Sequence, residues 1–322
     1  MEIKFKMKNR RTSPGKIVGI IKKIIQKLKN LFSTIRHQPY DLLPRYHNSP
    51  SIARKFMYFS NPKYIKNIEP SLMDNIVAFN YLSWPRKIFF HVYRKDILDI
   101  GCGTGLHALG YIVSGVKSYT GLDPKINIHA DRGKNLRTSQ WQHFGWTPAE
   151  MMYQLPIIRF ISGTFEDVAP KEKFDIAILH NVTEHLHNLD SVFEGIARRL
   201  RPNGRILYQH HNFFSWNGHH KQPKTIDAID TEDPTQTQYM DWEHIQLANS
   251  RTDKLSKKLN KIRIRDLRTL TEKYFTILTW REVRSDPQQG LLRFSDDLLI
   301  KYPHYEKKEF LTQHVFCVAT IK

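Results

Sequence analysis

From about residue 95 the chain alternates short apolar runs with amphipathic stretches. KDILDI (95–100), VKSYTGLDP (116–124), IIRFISGTFED (157–167), KFDIAILHN (173–181) and RILYQHHN (205–212) read as strands, because their apolar and β-branched residues cluster without a helical period. GLHALGYIVSG (105–115), LDSVFEGIARRL (189–200) and IRIRDLRTLTEKY (262–274) carry the i, i+3, i+4 spacing of helices. RPNG (201–204) reads as a turn, and FTILTWREV (275–283) and HVFCVATI (314–321) as a late strand pair. Strands alternating with helices predict an α/β fold, a doubly wound and mostly parallel sheet ending in an antiparallel strand. Residues 213–260 are polar and lack a clear period, so they read as an irregular insertion.

The first 94 residues follow different patterns. In KIVGIIKKIIQKLKNLFSTI (16–35), Ile17, Ile21, Ile24, Leu28, Leu31 and Ile35 form one helical stripe, with lysines off it. Residues 1–36 therefore predict a basic amphipathic helical extension, suited to an anionic membrane surface or to packing on a partner or on the domain itself. Pro39, Pro44, Pro50, Pro62, Pro70 and Pro85 punctuate residues 37–94, which read as short helices and loops forming a cap or lid. The domain proper then occupies 95–322.

Charge sharpens this division. The net charge of +19 sits mainly in two places: residues 1–36 hold eleven Lys/Arg against one acid, and residues 251–268 hold eight against two. The rest of the chain is close to neutral. Two cysteines, Cys102 and Cys317, give neither a disulfide framework nor a zinc cluster, and a reducing, cytoplasmic setting is expected.

The glycine-rich run after the first strand, ILDIGCGTG, narrows the chemistry. A dinucleotide fingerprint would need a glycine at 106, where Leu stands, and no Gly-Lys-Ser/Thr follows as in a phosphate-binding P-loop. The loop predicts a nucleoside ligand without a pyrophosphate. In an open parallel sheet ligands sit beyond the carboxyl ends of the strands. Those ends carry Asp99 with the glycine loop, then Asp123, then Phe165, Glu166 and Asp167, then His180 and Asn181, then His210, His211 and Asn212. An acid at the end of the second strand, Asp123, can accept hydrogen bonds from both ribose hydroxyls.

With ILDIGCGTG, the LDP of Asp123, GTFED, FDIAILHNVTEHL and RPNGRILY in this order, the chain resembles the class I S-adenosylmethionine-dependent methyltransferases, a Rossmann-like fold. The resemblance covers residues 95–210. It implies S-adenosyl-L-methionine as cofactor, with Gly101, Cys102, Gly103 and Gly105 at the methionine part. It further implies that Asp99 orients that loop or reaches the ligand, that Asp123 holds the ribose, and that Phe165 and Glu166 border the adenine. His180 and Asn181 stand beside them. Thr164 occupies a position where the family commonly has an acid. Glu184 and His185 fit the family's Glu-His-Leu pattern. Asp167 reads either as a site residue or as a helix cap, and His107 as a solvated helix histidine.

Methyl transfer to a hydroxyl needs alignment and a proton acceptor, for which histidine is suited. His210, His211 and His180 are the candidate bases. Phe213 and Trp216 are expected to wall the acceptor, with His219 and His220 beside them. The histidine pairs come without a carboxylate or cysteine set at metal-ligand spacing, so no metal is expected. YQHHNFFSWNGHH (208–220) also resembles methyltransferases of bacterial surface-glycan pathways, which implies a small-molecule or glycan acceptor, a lipid-linked one at the membrane surface among them. The alternatives are a nucleic-acid methyltransferase that uses the basic segments as a phosphate-binding platform, and a non-catalytic adaptor that binds the cofactor.

Overall fold

A computed structural model describes residues 50–60, 63–129, 146–221, 223–248 and 258–322. The amphipathic segment 16–35 lies outside the described residues, and so does the 251–257 part of the basic strip at 251–268. No helix among the described residues is long and apolar enough to cross a membrane.

Seven strands form one sheet: β1 (Asp96–Ile100), β2 (Ser118–Leu122), β3 (Ile158–Ile161), β4 (Phe174–His180), β5 (Leu200–His211), β6 (Phe275–Arg284) and β7 (Thr312–Ile321). Their order is β3-β2-β1-β4-β5-β7-β6. The first five run parallel; β7 is antiparallel to both β5 and β6. The chain thus winds outward from β1 to β3, crosses back to β4 and winds the other way, as expected for a doubly wound α/β fold. The reversal leaves a crevice outside the carboxyl ends of β1 and β4.

Burial explains why β1 is central. All five of its residues are buried, including Asp96 and Asp99. Removing Ile97, Leu98 and Ile100 from water stabilises the fold by about 2 kcal/mol apiece. Asp96 accepts from Lys117 Nζ at 2.9 Å, Ser118 Oγ at 2.7 Å and Arg201 at 2.7 Å, which ties the amino ends of β1, β2 and β5 together. RPNG is not a free turn. It loops out within β5, where pairing with β4 jumps from Leu200 to Arg205 and Asn203 takes a φ of 63°.

Helices cover the sheet. The segment before β1 folds into α1 (Pro50–Ser60), α2 (Pro70–Ala78), α3 (Ser83–Lys87) and α4 (Phe89–Val92). α5 (Ala108–Val113) follows the glycine loop, and Gly110 lets Tyr81 approach so closely that an added Cβ would lie 2.3 Å from the Tyr81 carbonyl oxygen. α6 (Pro148–Gln154) starts at a capping box made by Thr147 and Glu150. α7 (Leu189–Arg199) and α10 (Ile264–Tyr274) pack Leu189, Phe193, Ile196 and Leu267 into the main core.

Residues 213–260 depart from the expectation of a polar, irregular insertion. They contain α8 (Pro234–Thr237) and α9 (Glu243–Leu247), and with α11 (Asp297–Lys301) and α12 (Lys307–Leu311) they enclose a second apolar cluster. Its aromatic members, Phe213, Trp216, Trp242, Tyr302 and Phe310, come from both sides of the intervening strand, so the stretch looks polar when read alone. Asn212 joins this cluster to the sheet. Fully buried, it donates to the Glu309 and Thr312 carbonyls at 2.7 Å each and accepts from the Phe214 N–H at 3.1 Å. Asn212→Ala strands three buried polar groups, so a loss of about 3 kcal/mol is expected as a lower urea midpoint. An unchanged midpoint would show that the second cluster does not depend on this link.

Candidate active site

The register of the central strands sets the geometry of the site. β1 and β2 pair in parallel with Ile100 opposite Leu122. The glycine loop and Asp123 therefore emerge side by side. The Gly103 N–H donates to Asp123 Oδ2 at 3.0 Å, and the Lys125 N–H to Oδ1 at 2.8 Å. Gly103 has a φ of 59°, and an added Cβ there would meet nothing within 4 Å. Gly105 is different: its φ is 72° and a Cβ would lie 2.3 Å from the Phe160 ring. Protein packing demands glycine at 105. At 103 the backbone faces open space beside a carboxylate, which is the shape a ribose and its flanking chain would fill. Cys102, half-buried, holds the loop through its N–H to the Leu122 carbonyl at 3.3 Å.

Several expected contacts lie elsewhere. Asp99 does not face the loop's open side: it is buried and accepts from the Tyr119 hydroxyl at 2.8 Å. Burial and the nearby Asp123 charge push its carboxyl up to about 7, against the lowering effect of the Tyr119 bond. The Phe165 ring packs on α7, 3.4 Å from where a Gly195 Cβ would sit, so its inward face is already occupied. Glu166 is exposed and bonds the Thr164 hydroxyl. Asp167 accepts from the Thr164 N–H at 2.8 Å, the cap reading of that residue. His107 is not solvated. It lies 3.4 Å from the Tyr81 carbonyl and edge-on to Tyr81 and His180.

Of the three candidate bases, His211 lines the cavity at the ends of β4 and β5. His180 is stacked flat under Trp84 at 4.3 Å, and burial, with the charges of His107, Lys87 and His314, lowers its pKa to about 3. His210 is fully buried with Nδ1 2.9 Å from the Thr183 hydroxyl, so no acceptor can reach it. Phe213 and Trp216 are no acceptor wall: both are sealed in the second apolar cluster, because the residues after β5 turn inward there. His219 is buried and stacked on Tyr239.

The cavity at the ends of β4 and β5 measures about 300 Å³ and is lined by Asn181, Glu184, His185, His211, Asn217 and His220, with Lys224 at its side. Val182, next to Asn181, lies against Gly101, so the cavity wall and the glycine loop share a boundary. Asn181 takes a φ of 54° and accepts from the Gln209 side chain at 3.1 Å. Glu184 is almost fully buried, and burial pushes its carboxyl up to about 7 despite hydrogen bonds from its own and the His211 N–H and from Thr183. His211 stacks on His220 at 4.3 Å and bonds Asn217 at 3.2 Å, and burial lowers it to about 4. Asn217 and Lys224 were not among the candidate site residues, since each reaches the cavity only through the folding of the insertion.

A mostly parallel sheet with a glycine loop and an acid side by side at its switch point has the architecture of the class I S-adenosylmethionine-dependent methyltransferase fold. The methyltransferase-domain family model matches residues 66–274, and the chain belongs to that family. The ubiquinone biosynthesis O-methyltransferase of Photobacterium profundum is 31% identical over 119 residues, 36% of this chain and 44% of that protein. The tRNA U34 carboxymethyltransferase of Alteromonas mediterranea is 24% identical over 119 residues, 36% of this chain and 32% of that protein. The chain spans less than half the length of the curated relatives it matches. Among solved structures, a Listeria monocytogenes protein described as a putative S-adenosylmethionine-dependent methyltransferase aligns with a TM-score of 0.43 at 14% identity, over 76% of this chain and 99% of that one. S-adenosyl-L-methionine is the cofactor of the family, and the open side of Gly103 beside Asp123 fits its ribose and methionine parts.

Proposed function

We propose that the protein transfers the methyl group of S-adenosylmethionine to a hydroxyl oxygen of a small molecule or glycan held in the cavity of Asn181, Glu184 and His211. The observation that carries this reading is the juxtaposition of an open glycine backbone and the Asp123 carboxylate, held by the Gly103 and Lys125 N–H groups, with a polar cavity that shares its wall. The bound cofactor supplies an activated methyl group on sulfur. The chain's own task is alignment, which lowers a displacement barrier by several kcal/mol. Asp123 would fix the ribose while Gly103 leaves room for the chain. Asn217, by accepting the Nε2 hydrogen, leaves the His211 Nδ1 lone pair available for the hydroxyl proton.

The basic segment 16–35 would bring such a domain to an anionic membrane surface, which suits a lipid-linked glycan. The nucleic-acid alternative loses support from the second basic strip. Among its described residues, Arg263 pairs with Glu309, Arg265 with Asp266 at 3.4 Å and Arg268 with Glu272 at 3.0 Å, so three of the strip's eight cations are answered within the protein.

Incubation with methyl-labelled S-adenosylmethionine and cell extract, followed by separation into glycan-lipid, small-molecule, RNA and protein fractions, tests the reading. Label is expected in the first two fractions. Asp123→Ala should weaken cofactor binding about 30-fold by calorimetry, an amount typical of losing two hydrogen bonds to a charged group, with the fold retained. Label in RNA, or unchanged affinity in Asp123→Ala, overturns the corresponding part.

A further inference from the structure

Glu184, His185 and His220 each offer a ligand atom, and these atoms all lie within 4.8 Å of one another. They come from two separate places: the turn after β4 and the loop after β5. Two of their polar atoms are conspicuous. Glu184 Oε1 and His220 Nε2 are both buried and make no hydrogen bond, although Glu184 as a residue is only 1% exposed. A buried carboxylate oxygen without a partner is costly, so its occurrence points to a ligand. His185 is differently prepared. Its Nδ1 sits 3.1 Å from the Lys258 carbonyl, so Nδ1 carries the hydrogen and Nε2 keeps a lone pair. This backbone hold on the far nitrogen is the usual way a protein orients a metal-binding imidazole.

We propose that Glu184, His185 and His220 form a binding site for a first-row divalent cation of the zinc type, with a fourth position open to the cavity. Two imidazoles and one carboxylate are a donor set that such ions take, and three protein ligands leave one position for an incoming oxygen. Ligand atoms about 3.3 Å apart are needed around a tetrahedral ion, so the side chains must close by up to about 1.5 Å. His185 is exposed, so it can make that movement without repacking the core. Lys224 lines the same cavity, and its charge opposes a cation. The ionised Glu184 is therefore the ligand the site can least afford to lose. The sequence did not single out this site, because His220 stands about 36 residues beyond the adjacent Glu184 and His185.

This inference deepens the reading of the cavity as the acceptor pocket and rests on it: the open position would hold the acceptor's hydroxyl oxygen. The ion would occupy the free oxygen of Glu184, leaving His211 to receive the proton.

Cobalt(II) tests the site directly, since its visible absorption reports nitrogen and oxygen coordination without any turnover. The full chain, stripped with a chelator, is titrated with cobalt and the same samples are titrated with S-adenosylmethionine by calorimetry. One equivalent of cobalt is expected to develop visible bands, displaced stoichiometrically by zinc. Glu184→Gln and His220→Asn should each weaken cobalt binding about 100-fold. Glu184→Gln is nearly isosteric, and circular dichroism of both variants checks that they fold. No saturable bands, or bands unchanged in both variants, would overturn the proposal, even where S-adenosylmethionine still binds. Cobalt binding with no S-adenosylmethionine binding would instead uphold the metal site and sink the methyltransferase reading.

Discussion

Gly103→Ala is expected to lose S-adenosylmethionine affinity by about 10- to 100-fold, equivalent to roughly 1.4–2.7 kcal/mol, while the protein stays folded. The reasoning separates two glycines that look alike in the motif. At Gly105 a methyl group would drive into the Phe160 ring at 2.3 Å, in the packed interior between the loop and β3. Gly105→Ala should therefore lower the urea midpoint by an amount equivalent to about 2–4 kcal/mol, through overpacking and a left-handed backbone together. At Gly103 the same methyl group meets no protein atom within 4 Å. Its stability cost is only the left-handed φ of 59°, about 1 kcal/mol. The methyl group instead occupies the space beside the Asp123 carboxylate. Calorimetry and a urea titration on both variants check the contrast. If Gly103→Ala binds the cofactor as tightly as the parent chain, the open side of the loop is not where the ligand lies.

The same contrast shows how far the sequence could be read. The strand runs were legible because parallel strands buried on both faces are continuous in apolar residues, and β1 is the extreme case with five buried positions. The glycine loop and Asp123 were legible because a strand end followed by glycines, and an acid at the next strand end, are local patterns. The acceptor side was not. Phe213 and Trp216 read as cavity lining because they follow β5, yet their partners Trp242, Tyr302 and Phe310 arrive from up to about a hundred residues away and draw them inward. His210 and His211 are adjacent in β5 and point to opposite faces, as successive strand residues must. The alternation puts one of them in the core and the other in the cavity. Glu184 gains its character only when the end of β5 closes over it.

Buried histidines also make acidification the second large effect: the chain is expected to unfold with a midpoint near pH 5. Burial lowers His210 to about 3 and His244 to about 4. It lowers His180 and His314 to about 3, aided by the Lys87 charge, and His91 to about 4, aided by Arg205. Each is depressed below the ordinary histidine value, so the unfolded chain takes up protons that the folded chain refuses. The stability these neutral rings confer is present above pH 6.5 and is lost as the pH falls from there toward 4. Each contributes about 1.4 kcal/mol per pH unit through that window. Burial lowers His211, His219 and His220 likewise, to about 4, 3 and 2. Asp99 and Glu184 oppose them: with folded values of about 7, the folded chain binds their protons first, so their contribution grows as the pH falls below 7. Two carboxyls against eight imidazoles leave a net loss of about six protons' worth, or roughly 8 kcal/mol per pH unit. A domain of ordinary stability, about 5–15 kcal/mol, is exhausted within one to two units. Urea midpoints measured between about pH 6 and 5 give the number of protons taken up on unfolding, and about five to six are expected. A value near zero would mean that the unfolded chain gains no protons over the folded one, and that the buried rings are charged or reached by water in the native protein.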